Sequence, residues 1–520
     1  MNPFGPAFRL ARVEESRLPM GVESQLSMAL RRIVPSAVLT CALAGCAVGP
    51  NFKSPAAPEL NGYTAHAPAA PVATPGVAGG SAQRFARGAD ISGDWWTLFH
   101  SQALDALVNQ ALKDNHDLKA AQAALKVAHE DVLAQRGAFF PSVSAGFDTS
   151  RQKAPVTLAP MPNYPVVPQE YRFDLYTPQL TISYSPDLFG LNRRTYESLK
   201  AQEQSARFQM IAAWTTLTSN VVVTAVQEAA LREQVQETRK LVALDRKSLA
   251  ILKLRFEKGA ASRLDVAAQQ AQLAQTEAGL PALVKQLAAT RHALAVLVGD
   301  FPGQSPGAAL SLNDLHLPAD LPLSLPSQLV AQRPDIRQAR ADLHAASAAI
   351  GIAEAQRFPN ISLSADVGST ALAMSKVFNS GTGFWGVAAS LTAPIFQGGQ
   401  LMHQERAAKA AYVEAAEQYR GTVLTAFQSV ADTLVALDQD ARGLQAAAAA
   451  ERAAKTTLDL SQLQLRHGYI GTFELLAAEQ SYQQARMALV QAQANRFADT
   501  AALYQALGGG WWHHSALGKR

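Results

Sequence analysis

The stretch RFPNISLSADVG, residues 357–368, changes character at Pro359. Upstream lies an alanine-rich run with helical character. Downstream, Ile361, Leu363, Ala365 and Val367 alternate with Ser362, Ser364, Asp366 and Gly368, the two-residue period of a strand with one apolar and one polar face. A helix here runs directly into such a strand, and the chain does the same once more.

NHDLKAAQAALKVAHEDVLAQRGAFFPSVSAGFD, from Asn115, aligns without a gap with RPDIRQARADLHAASAAIGIAEAQRFPNISLSAD, from Arg333. Asp117 matches Asp335 and Pro141 matches Pro359, both at an offset of 218. KGAASRLDV at Lys258 and HGYIGTFEL at His467 form a second pair. Gly259 and Gly468, Leu294 and Leu503, and Gly299 and Gly508 are all 209 apart. A duplication of about 200 residues follows, far longer than a solenoid repeat.

Each copy predicts the same order: helix, strand, loop, strand, very long helix, tight turn, helix. In repeat 1 (95–299) a helix is expected from about Trp95 to Phe139. Strands follow at about 142–148 and 178–185, separated by a proline-rich loop, and a turn falls near Gly259. Repeat 2 (327–508) predicts strands at about 360–368 and 385–393 and a turn near Gly468. From Leu191 to Phe256 there is no proline or glycine, so about 65 residues would span roughly 100 Å. Val235, Val242, Leu249 and Phe256 recur every seven residues, with Leu231 and Leu252 in the complementary row and Thr238 and Asp245 interrupting it. Such helices suit the staves of a tube, although a two-stranded coiled coil also fits the seam.

The composition is rich in alanine and glutamine and poor in aromatic residues, and the net charge of +4 is scattered. Nucleic-acid binding has no basic block to rest on. The two cysteines, Cys41 and Cys46, have no zinc or disulfide spacing. They end a stretch, MALRRIVPSAVLTCALAGC, with the charge-then-apolar layout of a secretory signal, so 1–45 is expected to be a signal segment whose true start is Met28. Leu43 to Cys46 resembles the bacterial lipobox, which would make Cys46 the site of a covalent N-terminal lipid and leave 46–94 as the first mature segment. Ala47, where an aspartate would retain a lipoprotein at the inner membrane, points to the outer membrane. A linker at 300–326 and a tail at 509–520 complete the chain, and these are expected to gather with 46–94 around the middle of the tube.

Four strands with one apolar face, in a protein sent to the outer membrane, cannot close a barrel alone. Lipid tolerates strands only as closed barrels of eight or more. Three copies would supply twelve strands and two copies eight. The expected fold is therefore an α+β membrane protein with a long helical periplasmic barrel and a transmembrane β-barrel completed by oligomerisation.

The lipobox, the GDWWTLF opening, the paired HDLKAA and RPDIRQA helix starts, SPDLFG, AFQSVAD and the closing LYQALGGGWW resemble the TolC-type outer-membrane efflux factors, lipoprotein branch. The resemblance runs from Cys46 to Trp512. It implies a homotrimer with a twelve-stranded barrel above a twelve-helix tunnel, a periplasmic adaptor protein and an inner-membrane transporter of the resistance-nodulation-division type. It also implies a gate at the periplasmic tip, carried by position to Phe473 as a bulky constriction residue and to Glu474 and Asp265 as acidic or linking residues. The sequence departs from the family at Ala477, where an aspartate is common, which shifts the acidic ring toward Glu479. Against the gate stands a simpler reading: Ser262 with Asp265 matches a capping box, and Glu474 suits a helix start.

No P-loop, HExxH, GxSxG or dinucleotide loop is present, the histidines are dispersed, and no cofactor or metal is expected. His513 and His514 read as an exposed tail. The functional expectation is a passive exit duct for drugs or other small toxic compounds. A duct for a type I protein-secretion system and a lipid-anchored coiled-coil tether or adhesin without a pore stay open as alternatives.

Overall fold

The computed structural model describes residues 47–60, 62–155, 170–304, 310–514 and 517. The signal segment and Cys46 lie outside the described residues, as does most of the proline-rich loop. The chain divides into two compact units. One comprises 47–49, Ala138–Arg194 and Gly351–Leu401, and the other Pro50–Gly137, Thr195–Ile350 and Met402–Arg520.

The first unit holds a four-stranded antiparallel sheet in the order β2-β3-β5-β6: β2 (Ser142–Pro155), β3 (Glu170–Tyr184), β5 (Asn360–Ser369) and β6 (Gly383–Thr392). The pairing of β3 with β5 joins the two repeats, with Ile182 opposite Ala365 and Leu180 opposite Val367. Val143 faces Ile182 on one side, and Ala365 faces Val387 on the other. Because paired residues share a face, the register gathers Val143, Leu180, Ile182, Val367, Trp385, Val387 and Leu391 onto one surface. That surface is bare: Trp385 is 79 % exposed and Val387 75 %. The other face is small and polar, with Thr181 donating to Asp366 at 2.7 Å and the Ser362 and Ser390 hydroxyls 2.7 Å apart. The first two strands are longer than the alternation at 142–148 and 178–185 predicts. Ladder bonds continue through Thr149 to Pro155, opposite Tyr176 to Glu170, where charged side chains have replaced the alternation.

The second unit is helical. Helices α1 (Gln102–Asp114) and α2 (His116–Gly137) occupy the place of the single helix expected from Trp95 to Phe139. That expectation fails at two points. Trp95–Phe99 is a separate 3-10 turn closed by His100 in a left-handed conformation, φ 52°. At Asn115 the side chain accepts from the Leu118 N–H at 2.9 Å and so starts a new helix. Repeat 2 breaks at the matching position, Arg333, between α5 (Pro326–Gln332) and α6 (Pro334–Ala355).

The long helices are α3 (Leu191–Glu257) and α7 (Gln400–Arg466), each 67 residues; α4 (Arg263–Leu297) and α8 (Thr472–Ala506) each have 35. Asp187, in the SPDLFG segment, starts α3 by accepting from the N–H groups of Asn192 at 3.0 Å and Arg193 at 2.9 Å. Both hairpins turn in one way. Gly259 and Gly468 have φ of 75°. Ala260 donates back to the Arg255 carbonyl and Tyr469 to that of Gln464, the crossed bonds of a Schellman stop. The far ends of α4 and α8 repeat it at Gly299 and Gly508. Among the described residues no helix is long and apolar enough to cross a membrane.

The main core lies where the N-terminal and C-terminal motifs meet. Trp95 stacks on Tyr504 with centroids 5.1 Å apart, Trp96 meets Trp214 at 5.8 Å, and Phe99 meets Phe497 at 6.3 Å. A short strand in the first mature segment, β1 (Arg84–Arg87), pairs in parallel with β4 (Asp320–Leu323) in the linker, a pairing too brief to show as alternation. The tail is not free. Trp511 is buried and donates to the Gln332 carbonyl at 2.8 Å. His513 is exposed but lies 2.5 Å from Asp90, and His514 packs on Trp214 at 5.2 Å, so the exposed-tail expectation is corrected for His514.

Candidate gate at the tip of the helical hairpins

The two turns lie side by side. Asp265, at the third position of α4, bonds the side chain of Thr472, the first residue of α8. Its main engagement is local: Asp265 accepts from the Ser262 hydroxyl at 2.7 Å and the Ser262 N–H at 2.8 Å, while Ser262 Oγ accepts from the Asp265 N–H at 3.1 Å. This is a complete capping box, and these bonds hold the Asp265 carboxyl below its ordinary range, the serine hydroxyl contributing most. Asp265 is thus a helix cap that also touches the other repeat.

The matching position in α8 is Glu474. There the cap residue is Gly471, which has no side chain to reciprocate. Glu474 is exposed, as are Phe473, at 50 %, and Ala477 one turn on. These three form one open face on the first turns of α8. The opposite face, Leu475 and Ala478, is buried against Leu458 of α7.

Glu479 belongs to that buried face and not to the open one. At 1 % exposure it cannot contribute to an acidic ring in a lumen, which corrects the shift expected from Ala477. Both of its carboxyl oxygens lack a hydrogen-bond partner. Burial, with the Asp245 charge nearby, pushes its carboxyl up to about 7. Asp245, on α3, is itself 0 % exposed and raised by burial, with a bond from Thr276 opposing the shift. The interruptions Thr238 and Asp245 are therefore inside the helix seam, while Phe256, its last predicted apolar member, is exposed next to the turn.

Higher on the hairpins, Arg486 of α8 pairs with Glu233 of α3 at 2.6 Å, a second link between the repeats. Among the described residues no group of three or more histidine, cysteine, aspartate or glutamate side chains could hold a metal ion. Sequence reasoning singled out Asp245 only as a flaw in a heptad. Its pairing with Glu479, across more than 200 residues, had no local signal beyond two acids in apolar stripes.

Comparison with known proteins agrees with this architecture. The "Outer membrane efflux protein" family profile matches residues 107–300 and 325–509, one segment for each repeat. The pyoverdine export outer membrane protein OpmQ of Pseudomonas aeruginosa is 30 % identical over 417 residues, covering 80 % of this chain and 87 % of that protein. The antibiotic efflux pump outer membrane protein ArpC of Pseudomonas putida is 29 % identical over 493 residues, covering 93 % and 97 %. Among solved structures, the open state of the Neisseria gonorrhoeae MtrE outer membrane channel superposes with a TM-score of 0.73 at 26 % identity, covering 89 % of this chain and 98 % of that one. The Campylobacter jejuni CmeC channel has the same fold, with a TM-score of 0.81 at 22 % identity over 91 % of this chain and 97 % of that one. With each repeat matched, and with the sheet and paired hairpins in place, the chain belongs to the outer membrane efflux protein family, a family of transport ducts in the outer membrane.

Proposed function

We propose that three copies of this chain form a gated exit duct that passively releases small toxic compounds, drugs among them, delivered by a periplasmic adaptor protein and an inner-membrane transporter of the resistance-nodulation-division type. The observation that carries the trimer is the sheet. One face is apolar and bare, and β2 and β6 have no strand on their outer sides among the described residues. In hydrocarbon an unpaired strand edge is too costly to persist, and four strands cannot close on themselves. Three chains supply twelve, within the range of known barrels. Cys46 carries the lipid that anchors each mature chain in the outer membrane.

The long helices form the periplasmic tunnel, and the turns at Gly259 and Gly468 are its tip. Phe473 and Glu474, on the open face of α8, narrow it. Threefold repetition brings three Glu474 carboxylates together and favours cations. Cargo selection belongs mainly to the pump; pyoverdine and antibiotics, the compounds named for the two relatives, are the class of molecule to try first.

Purified mature protein in a planar lipid bilayer tests this reading. Discrete cation-preferring conductance steps that enlarge in the Phe473→Ala, Glu474→Ala double variant support a duct closed at its tip. Steps unchanged by the variant place the gate elsewhere. If neither protein gives steps, the duct reading fails and a poreless tether gains.

A further inference from the structure

Asp245 and Glu479 come from different repeats, one on α3 and one on α8, and each is walled off from water. Their surroundings are short of hydrogen-bond donors. Asp245 Oδ1 and both Glu479 oxygens have no partner, and neither side-chain oxygen nor nitrogen of the fully buried Gln269 has one. Gln269 lies seven residues, two turns, before Thr276 on the same face of α4. The one donor to the pair is the Thr276 hydroxyl, 2.9 Å from Asp245 Oδ2, and it is also 3.1 Å from the carbonyl of Gln272 in its own helix. A hydroxyl has one hydrogen, so it cannot serve both at once.

The cations nearby are engaged elsewhere. Arg246 of α3 is held by Glu277 of α4 at 2.7 Å, Lys455 of α7 by Asp459 at 3.2 Å, and Arg486 of α8 by Glu233 at 2.6 Å. Glu451 of α7 acts on Lys455 and on Tyr482 of α8. Asp245 is the one charge that acts on Glu479. Two buried carboxylates with a single shared donor and no counter-cation cannot both be ionised in this packing.

We propose that Asp245 and Glu479 form a proton-binding site that fastens α3 of one repeat to α8 of the other, and that release of the proton loosens the two hairpins near their tip. The bound proton turns one acceptor into a donor and removes the mutual repulsion. Its loss leaves two facing carboxylates in an apolar seam, and the relief available is to part the helices and admit water. Glu479 is 11 residues beyond Gly468 and Asp245 is 14 before Gly259 in the sequence, so the site is within roughly 20 Å of both turns. That is close enough for a small parting to reach the open face of Phe473 and Glu474. The effect on conduction rests on the gated-duct reading; the protonation does not.

Two measurements on the full mature protein test it. Infrared difference spectra across a pH titration should show a protonated carboxyl band that disappears near neutral pH in the wild type. The band should be missing in Glu479→Gln and shifted to lower pH in Asp245→Asn, where the repelling charge is gone. A wild type with no such band above about pH 5.5 overturns the site. In bilayer recordings, open probability should rise several-fold between about pH 6 and about pH 8.5 in the wild type and stay at its low-pH value in Glu479→Gln. Asp499, raised to about 7 chiefly by burial and then by Asp440, titrates in the same range, so the decisive quantity is the difference between the two proteins. Equal pH profiles for wild type and Glu479→Gln overturn the coupling to the gate. If no protein conducts, the duct reading fails and the infrared result still decides the proton site.

Discussion

Arg333 donates through Nη1 to the carbonyl oxygen of Ala506 at 2.7 Å, and at the matching position of repeat 1 Asn115 donates through Nδ2 to that of Leu297 at 3.0 Å. In each repeat the residue that breaks the first helix ties down the last turn of the last one. Arg333 adds a two-bond grip on Asp335, at 3.0 and 2.7 Å. Arg333→Ala should therefore cost about 2–3 kcal/mol, since it strands a carbonyl and a carboxylate, and Asn115→Ala about 1–2 kcal/mol. Thermal melts followed by circular dichroism will show this as an ordered pair of lowered midpoints. Wild-type melting for Arg333→Ala would sink the idea.

The Ser262 cap makes a second prediction, with a pH sign. The Asp265 carboxyl is lowered from its ordinary 3.8 in the folded chain, so its contribution is complete above that value and is lost as pH falls through it. Ser262→Ala should weaken the start of α4 by about 1 kcal/mol at neutral pH. The gap between variant and wild type should narrow in acid. Amide hydrogen exchange at residues 263–266, compared at neutral and acid pH, measures it, and a gap that widens in acid refutes it.

Glu479 has the opposite sign. Its carboxyl is raised from 4.5 to about 7, so the folded chain is favoured most below the ordinary value and that advantage is lost as pH rises to about 7. Glu479→Gln carries no charge to desolvate. It should match the wild type near about pH 4 and exceed it at about pH 8 by at most about 3 kcal/mol. Melting midpoints against pH check this; a variant less stable than wild type at the higher pH would refute it.

On the sheet, Val387 and Ala388 are neighbours on opposite faces, one opposite Ala365 and the other opposite Ser364. Val387→Arg places a charge against lipid and should cost about 2–4 kcal/mol near the bilayer centre, whereas Ala388→Arg faces the polar side and should be tolerated. The fraction of each variant recovered folded in outer membranes separates the two. Equal recovery would argue that this face does not meet lipid.

How much of this was legible beforehand depended on the range of the signal. The strand alternation around Ile361 to Val367, the proline-free run from Leu191 and the glycines at 259 and 468 are local patterns, and each predicts its element because backbone geometry alone enforces it. The break at Asn115 is a single side chain choosing an N–H three residues on, and a helix-favouring neighbourhood hides it. β1 and β4 are four-residue strands 236 positions apart, held by pairing and not by pattern. At the tip, Asp265 was legible as a cap because Ser262 stands three residues before it. Glu479 was misread because its exposure is decided by which face of α8 meets α7 and α3, and acidic residues in a sequence are ordinarily taken to face water.

The two copies of the chain are unequal in one place only. Helices α3 and α7 match in length, as do α4 and α8 and also α2 and α6, at 22 residues each; the strand hairpin of repeat 1, from Ser142 to Tyr184, is ten residues longer than that of repeat 2, from Asn360 to Thr392. One residue added inside α3 would turn everything beyond it by about 100°, carrying Asp245 and its whole buried row out of the seam. Such a change can be absorbed only if the other stave changes with it. Between β2 and β3 nothing rotates when the chain lengthens, so insertions, epitopes and drift in sequence collect there, and the helices keep a shared measure from one end to the other.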